Sequence, residues 1–273
     1  MKQARIAIVG SGNLAWHLAG VLPDRAVVIS RDGTADPSWP VKVLGYDDLP
    51  DLDLSAIFLA VPDNAIGPVS SRLATTLPTD LPVYHTSGAT PVGRIDGHFR
   101  HRGVLWPIRS LREGEPVKDW KDLPLVVSGT TDLANQLVTG LAQELSDTVA
   151  VLDDRQRAQL HLAAVFSNNF VTALYEVAFQ LCREYDVPFD LLLPIIRNTA
   201  QRQDGSQPAL SQTGAAARGD TATMERHESL LTREQYRQLY RDMSRLILEY
   251  RLPQHDPDLR GDTDDGLQNE GIA

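Results

Sequence analysis

The chain has 273 residues, 42 % apolar and 23 % charged, which fits two domains of an ordinary soluble globular protein. Its formal charge of −10 argues against a nucleic-acid or anionic-membrane partner. A single cysteine, Cys182, excludes a disulfide framework and a cysteine-based metal cluster, so no metal site is assigned; a buried, inert thiol is expected.

The first half alternates short β-branched runs with helical patterns, the signature of a parallel sheet. Strands are predicted at Arg5 to Val9, Ala26 to Ser30, Val41 to Leu44, Leu54 to Val61, Leu81 to Thr86, Gly103 to Trp106 and Leu125 to Ser128. A helix capped at Thr131–Asp132 and a last short strand, Thr148 to Leu152, complete the pattern. From Asp153 the period turns helical. The predicted fold class is therefore α/β, a Rossmann doubly wound, mostly parallel sheet followed by an all-α domain. The domains are read as 1–152, 153–252, and an acidic, disordered tail at 253–273. Residues 255–273 carry six acids and one base without apolar periodicity. No run approaches about 18 apolar residues, and the N-terminus enters a glycine turn where a signal peptide would have its cleavage site, so a cytoplasmic location is expected.

That turn follows the first predicted strand and opens a helix: Gly10-Ser11-Gly12-Asn13-Leu14-Ala15. Gly10 permits the tight turn, Gly12 lets backbone approach a pyrophosphate, and Ala15 lets the helix pack on the sheet, while the helix N-terminus offers N–H groups to phosphate. About 20 residues on, where the adenosine ribose would lie, the sequence reads Ser30-Arg31-Asp32. Serine and arginine suit a 2′-phosphate, favouring NADP over NAD; Asp32 is the counter-signal, and a solvated loop is the other role for Arg31. The fourth strand leads into Val61-Pro62-Asp63, where Asp63 either lines the crevice or caps a helix. The fifth leads into His85-Thr86-Ser87-Gly88, placing Ser87 near a nicotinamide and His85 as the second choice of catalytic residue.

The first helix of the second domain is predicted from Asp154 to Tyr185, broken at Val187–Pro188. It places His161, Asn168, Asn169 and Thr172 in an apolar run. At about 100° per residue, Asn168 falls within about 20° of His161 and Asn169 about 80° away. Either this is an interhelical hydrogen bond, or His161 is a proton donor with an orienting amide beside it. The last helix is predicted to be capped by Thr232, with Tyr236, Leu239, Tyr240, Met243, Ile247 and Tyr250 on one stripe.

These segments together, with Ala60-Val-Pro-Asp63, Thr213-Gly214, Arg218-Gly219-Asp220 and His227, resemble Rossmann-like proteins that carry a helical C-terminal domain of unknown function. That family is similar to pyrroline-5-carboxylate reductases and deazaflavin-dependent NADP oxidoreductases, and the resemblance spans about residues 4 to 250. It implies Asn169 as the family's asparagine, where helical geometry favours Asn168. It also implies a homodimer through the helical domain. One departure is visible: Trp106-Pro-Ile-Arg109-Ser-Leu places Arg109 where the family has glutamine, which suits an anionic substrate or a surface ion pair. Arg218 is a candidate substrate contact, and Asp220 either joins it or caps the next helix.

The expected function is an NADP(H)-dependent oxidoreductase, passing hydride to or from a small carbonyl or imine substrate in the interdomain cleft, with His161 moving the proton. The alternative is a non-catalytic dinucleotide-binding or sensing protein.

Overall fold

The computed structural model of the chain describes residues 5–31, 33, 39–112 and 114–251, so the expectations for Asp32 and for the tail at 253–273 fall outside the described residues. Contacts divide the chain into two compact units, Met1–Thr172 and Ala173–Ala273. The division falls inside a long helix, some twenty residues beyond the change of period at 152/153.

Eight strands form one sheet in the first unit: β1 (Arg5–Val9), β2 (Ala26–Ile29), β3 (Val43–Leu44), β4 (Leu54–Leu59), β5 (Val83–His85), β6 (Arg102–Pro107), β7 (Leu125–Gly129) and β8 (Val149–Val151). Their order is β3-β2-β1-β4-β5-β6-β7-β8. All neighbours run parallel except β6 and β7, which are antiparallel. Because the strands are buried on both faces they read as unbroken apolar runs, and successive residues serve opposite faces. Thus Ile6 and Ile8 join one core layer while Ala7 and Val9 join the other. Helices α1 (Asn13–Val21) and α3 (Asp132–Leu145) pack on the first layer through Ala15, Leu18, Ala134 and Val138, and α2 (Ile66–Ala74) packs on the second through Ile66 and Leu73.

Every predicted strand is present, several of them shorter. β2 stops at Ile29, before Ser30, β3 begins only at Val43, and β4 stops at Leu59, before Pro62 fixes a turn. Since β1 lies between β2 and β4, the chain leaves it in opposite directions, which opens a crevice at the carboxyl strand ends. The α3 cap forms as expected, with Thr131 Oγ1 accepting the Ala134 N–H at 3.2 Å.

The long helix is α4 (Asp154–Ala164), a π segment (Val165–Phe170) and α5 (Val171–Glu184) in unbroken succession. Asp153 caps it reciprocally with Gln156, at 2.8 and 3.1 Å.

The second unit continues with α6 (Leu193–Gln201), the short α7 (Ala215–Arg218), α8 (Thr221–Leu230) and α9 (Glu234–Arg251). Few of its side chains are buried: Ala216, Ala217 and Leu231 are, whereas Leu191 is 70 % exposed and Ile195 63 %. Two expectations are corrected. Thr232 does not cap α9, which starts at Glu234; its hydroxyl donates to Glu184 Oε1 at 2.7 Å. Cys182 is only partly buried, on a helix that buries no residue among the described ones.

Candidate functional site

The glycine turn has the shape that a dinucleotide needs. Gly10 sits at φ 129°, and a Cβ there would lie 2.2 Å from the Ala60 carbonyl oxygen, so only glycine lets β1 turn this close to β4. At Gly12 a Cβ would meet nothing within 4 Å, leaving the backbone open on that side. No side chain caps α1, which opens at Asn13 and Leu14, and the positive end of its dipole favours an anion there. Ser11 is exposed at the turn, and Val61 packs against Gly10. A tight glycine turn with open backbone at Gly12 before a helix start is the geometry of a pyrophosphate cradle.

At the ribose end, Ser30 is buried and its N–H donates to Leu44 at 3.0 Å, while Arg31 is exposed. Asp63 is the first residue of a 3-10 turn after Pro62, and its side chain caps nothing; the capping alternative is not realised. It stands exposed beside the crevice.

The other end of the crevice is the loop after β5. Ser87 Oγ accepts the N–H groups of Ala89 and Thr90 at 3.2 and 3.0 Å and donates to Thr90 Oγ1 at 2.9 Å. Its hydroxyl is committed to shaping the loop. His85 braces the loop from below: Nδ1 accepts the Ser87 N–H at 3.2 Å, and Nε2 is buried without a partner. Burial, reinforced by the Arg157 cation, lowers the His85 pKa to about 4, so the ring is neutral near pH 7. A fully buried, neutral imidazole of this kind braces the loop.

His161 reaches the same loop from α4. Its ring lies 5.5 Å from that of Trp106, and a Cβ at Gly88 would fall 2.5 Å from His161 Cδ2 and 2.6 Å from Trp106. Gly88 thus lets the helix approach closely. One turn earlier on α4 comes Arg157, with only 1 % exposure. It donates to Thr90 O at 2.6 Å, to Asp154 Oδ1 at 2.7 Å and to Ser128 Oγ at 3.4 Å. Asp154 in turn accepts the Val92 N–H at 3.2 Å. Arg157 and His161 therefore fasten α4 to one loop. Sequence reasoning missed this clamp, although an arginine four residues before His161 on the same face was the available signal.

The π segment changes the count of faces between His161 and the two asparagines. A turn closed by i→i+5 bonds advances only about 80° per residue, so Asn169 returns to within about 10° of His161 and Asn168 falls about 80° away. The uniform count of 100° per residue, which favoured Asn168, fails because of this insertion. Both asparagines are exposed.

The remaining candidates lie elsewhere. Arg109 is exposed in the loop after β6, which α1 holds: Asn13 Nδ2 donates to Leu111 O at 3.1 Å and His17 Nε2 to Arg112 O at 2.8 Å. In the second unit Asp220 caps α8, accepting the Thr223 N–H at 3.0 Å, and the Thr223 hydroxyl followed by that N–H lowers the Asp220 pKa. Arg218 is exposed at the end of α7, just before Gly219 at φ 70°.

Fold and turn together define a Rossmann protein with a dinucleotide cradle, continued by a helical second unit. Its C-terminal part, residues 123–247, matches the domain of unknown function DUF2520. A candidate NADP oxidoreductase from Bacteroides fragilis is 30 % identical, with 91 % of this chain and 99 % of that one covered at a TM-score of 0.80. The chain belongs to this family of Rossmann proteins with a DUF2520 C-terminal domain. The reductive aminase of Aspergillus terreus, solved with NADPH and ethyl-5-oxohexanoate, shares the fold at 15 % identity, with 90 and 93 % coverage and a TM-score of 0.64. Pyrroline carboxylate reductase of Plasmodium falciparum, solved with NADP, shares it at 11 % identity, with 91 and 99 % coverage and a TM-score of 0.56. No curated protein matches the sequence.

Proposed function

We propose that the protein is an NADP(H)-dependent oxidoreductase acting on a small carbonyl or imine compound. The observation that carries this reading is the position of His161, a partly exposed imidazole held against Gly88 and Trp106 at the carboxyl strand ends, along the crevice from the glycine turn. The nicotinamide would supply or accept the hydride at carbon. The Gly10–Ala15 backbone would hold the pyrophosphate, Ser30 and Arg31 the 2′-phosphate, and Val61, Pro62, Asp63 and Ser87 the walls of the crevice. His161 would give a proton to the substrate oxygen or nitrogen in reduction and take it back in oxidation, with Asn169 orienting the group. Arg157 keeps His161 in register by binding Thr90. Arg109 and Arg218 are the candidate contacts for an anionic substrate.

The same reading makes the protein a homodimer through its helical unit. The helix Asp154–Glu184 holds an 18-residue window of mean hydropathy 1.2 with none of it buried, and Phe179, Leu191 and Ile195 are exposed beyond or within it. We assign that face to a second copy and not to lipid, because Arg157 ties the start of the helix into the sheet unit. Nothing in this reading calls for a nucleic acid or a membrane.

The test is a screen of ketones, aldehydes and ketone–amine mixtures for NADPH oxidation, repeated with His161→Ala. Turnover that His161→Ala abolishes, with NADPH affinity changed less than about threefold, is the expected result. Binding of NADPH with no turnover of any substrate, and indifference to that substitution, would instead make the protein a dinucleotide sensor.

A further inference from the structure

Next to the ribose end lies a pair of features that the glycine turn does not use. The guanidinium of Arg72, in the last turn of α2, stacks 4.1 Å from the centroid of the Tyr46 ring, which opens the 3-10 turn after β3. The register of β2 on β3 pairs Ile29 with Leu44, and Ser30 N–H binds Leu44 O at 3.0 Å, so Tyr46 is set beside Ser30 and Arg31. Burial raises the pKa of the Tyr46 hydroxyl, and Arg72 and then Arg31 oppose that rise, which places both cations within electrostatic reach of one phenol. Among the described residues neither guanidinium makes an ion pair with a carboxylate. Two cations that act on one phenol both attract a dianion placed beside it.

We propose that Arg72, held flat on Tyr46, is the second cation of a 2′-phosphate subsite whose first is Arg31, and that this subsite selects a 2′-phosphorylated adenine dinucleotide. The inference rests on the NADP(H) reading above and extends it to a residue on a different element of the fold. The stack on Tyr46 holds the guanidinium plane before the ligand arrives, so less side-chain freedom is lost on forming a bidentate phosphate contact. The Tyr46 hydroxyl, protonated at neutral pH, is a further donor at the same place.

The full-length protein is titrated by fluorescence with NADPH and with NADH, and 2′,5′-ADP is used as a competitor against each variant. Wild type should prefer NADPH. Arg72→Gln, an exposed position, should weaken NADPH and 2′,5′-ADP by about 10- to 100-fold while leaving NADH within about twofold. Tyr46→Ala should follow Arg72→Gln in direction, whereas Tyr46→Phe, which keeps the stack, should retain most of the preference. An Arg72→Gln protein that keeps the NADPH preference, or that loses both cofactors equally, overturns the role of Arg72. If Arg31→Gln erases the preference while Arg72→Gln leaves it intact, the NADP(H) reading stands and this inference fails. A wild type that binds both cofactors equally removes the reading and the inference together.

Discussion

The two units of this chain differ in how far each is complete alone. The sheet unit buries both faces of its strands: Ile8, Val9, Ile29, Leu59 and Val127 are fully enclosed, and the dinucleotide cradle is assembled within it. The helical unit has strongly amphipathic elements, yet α5, α6 and α8 bury no residue. The lesson is that the cofactor end of this protein needs one chain, whereas the apolar surface of the helices needs something further. At about 25 cal/mol per Å² of apolar area, large side chains left in water are a strong drive toward association.

The substitution with the largest expected effect breaks the helical side of that comparison. Leu191→Asp with Ile195→Asp should leave no dimer at micromolar concentration in analytical ultracentrifugation, while NADPH affinity persists. A wild type that sediments as a monomer would refute the assignment of this face. On the sheet side, Gly10→Ala places a Cβ 2.2 Å from Ala60 O at a φ of 129°, and should lower dinucleotide affinity by at least about 100-fold in an NADPH titration.

A third measurement follows from buried His85. Its pKa is about 4 in the folded state against 6.5 unfolded, so its stabilising contribution is full above pH 6.5. As pH falls from 6.5 toward 4, the unfolded ring binds a proton that the folded one refuses. Stability should drop by up to about 3 kcal/mol over that window, read from urea denaturation at a series of pH values. His85→Asn, whose side-chain oxygen can still accept the Ser87 N–H, should flatten that dependence. Smaller again is Arg157→Met, which removes the clamp on Thr90 and leaves Asp154 partly exposed. A loss of about 2 kcal/mol is expected by the same method. Indifference to the substitution would show that α4 is held by other contacts.

The sheet was legible because buried parallel strands advertise themselves. Runs such as Ile6 to Val9 and Ala56 to Leu59 admit few other readings, and the strand–glycine–helix context marks the cradle. What stayed hidden depends on distance in sequence or on phase. No residue type announces the π segment at Val165–Phe170, so the face shared by His161 and Asn169 could not be counted out at a constant angle. Arg157 stands i,i+3 from Asp154, a spacing that says nothing of the loop more than sixty residues away against which its side chain is buried. Thr232 looked like a cap, but Glu184 from a distant helix takes its hydroxyl. Exposure of the helical apolar face is likewise invisible to periodicity, which shows that a stripe exists but not what covers it.

The central claim is that a dinucleotide lies along the carboxyl strand ends of the sheet unit, from the glycine turn to the loop that His161 touches. Hydrogen–deuterium exchange with and without saturating NADPH tests it directly. The account predicts slowed exchange at residues 10–16, 30–31 and 87–90 with the helical segment 221–250 little changed. Saturable binding without protection at residues 10–16 would contradict it.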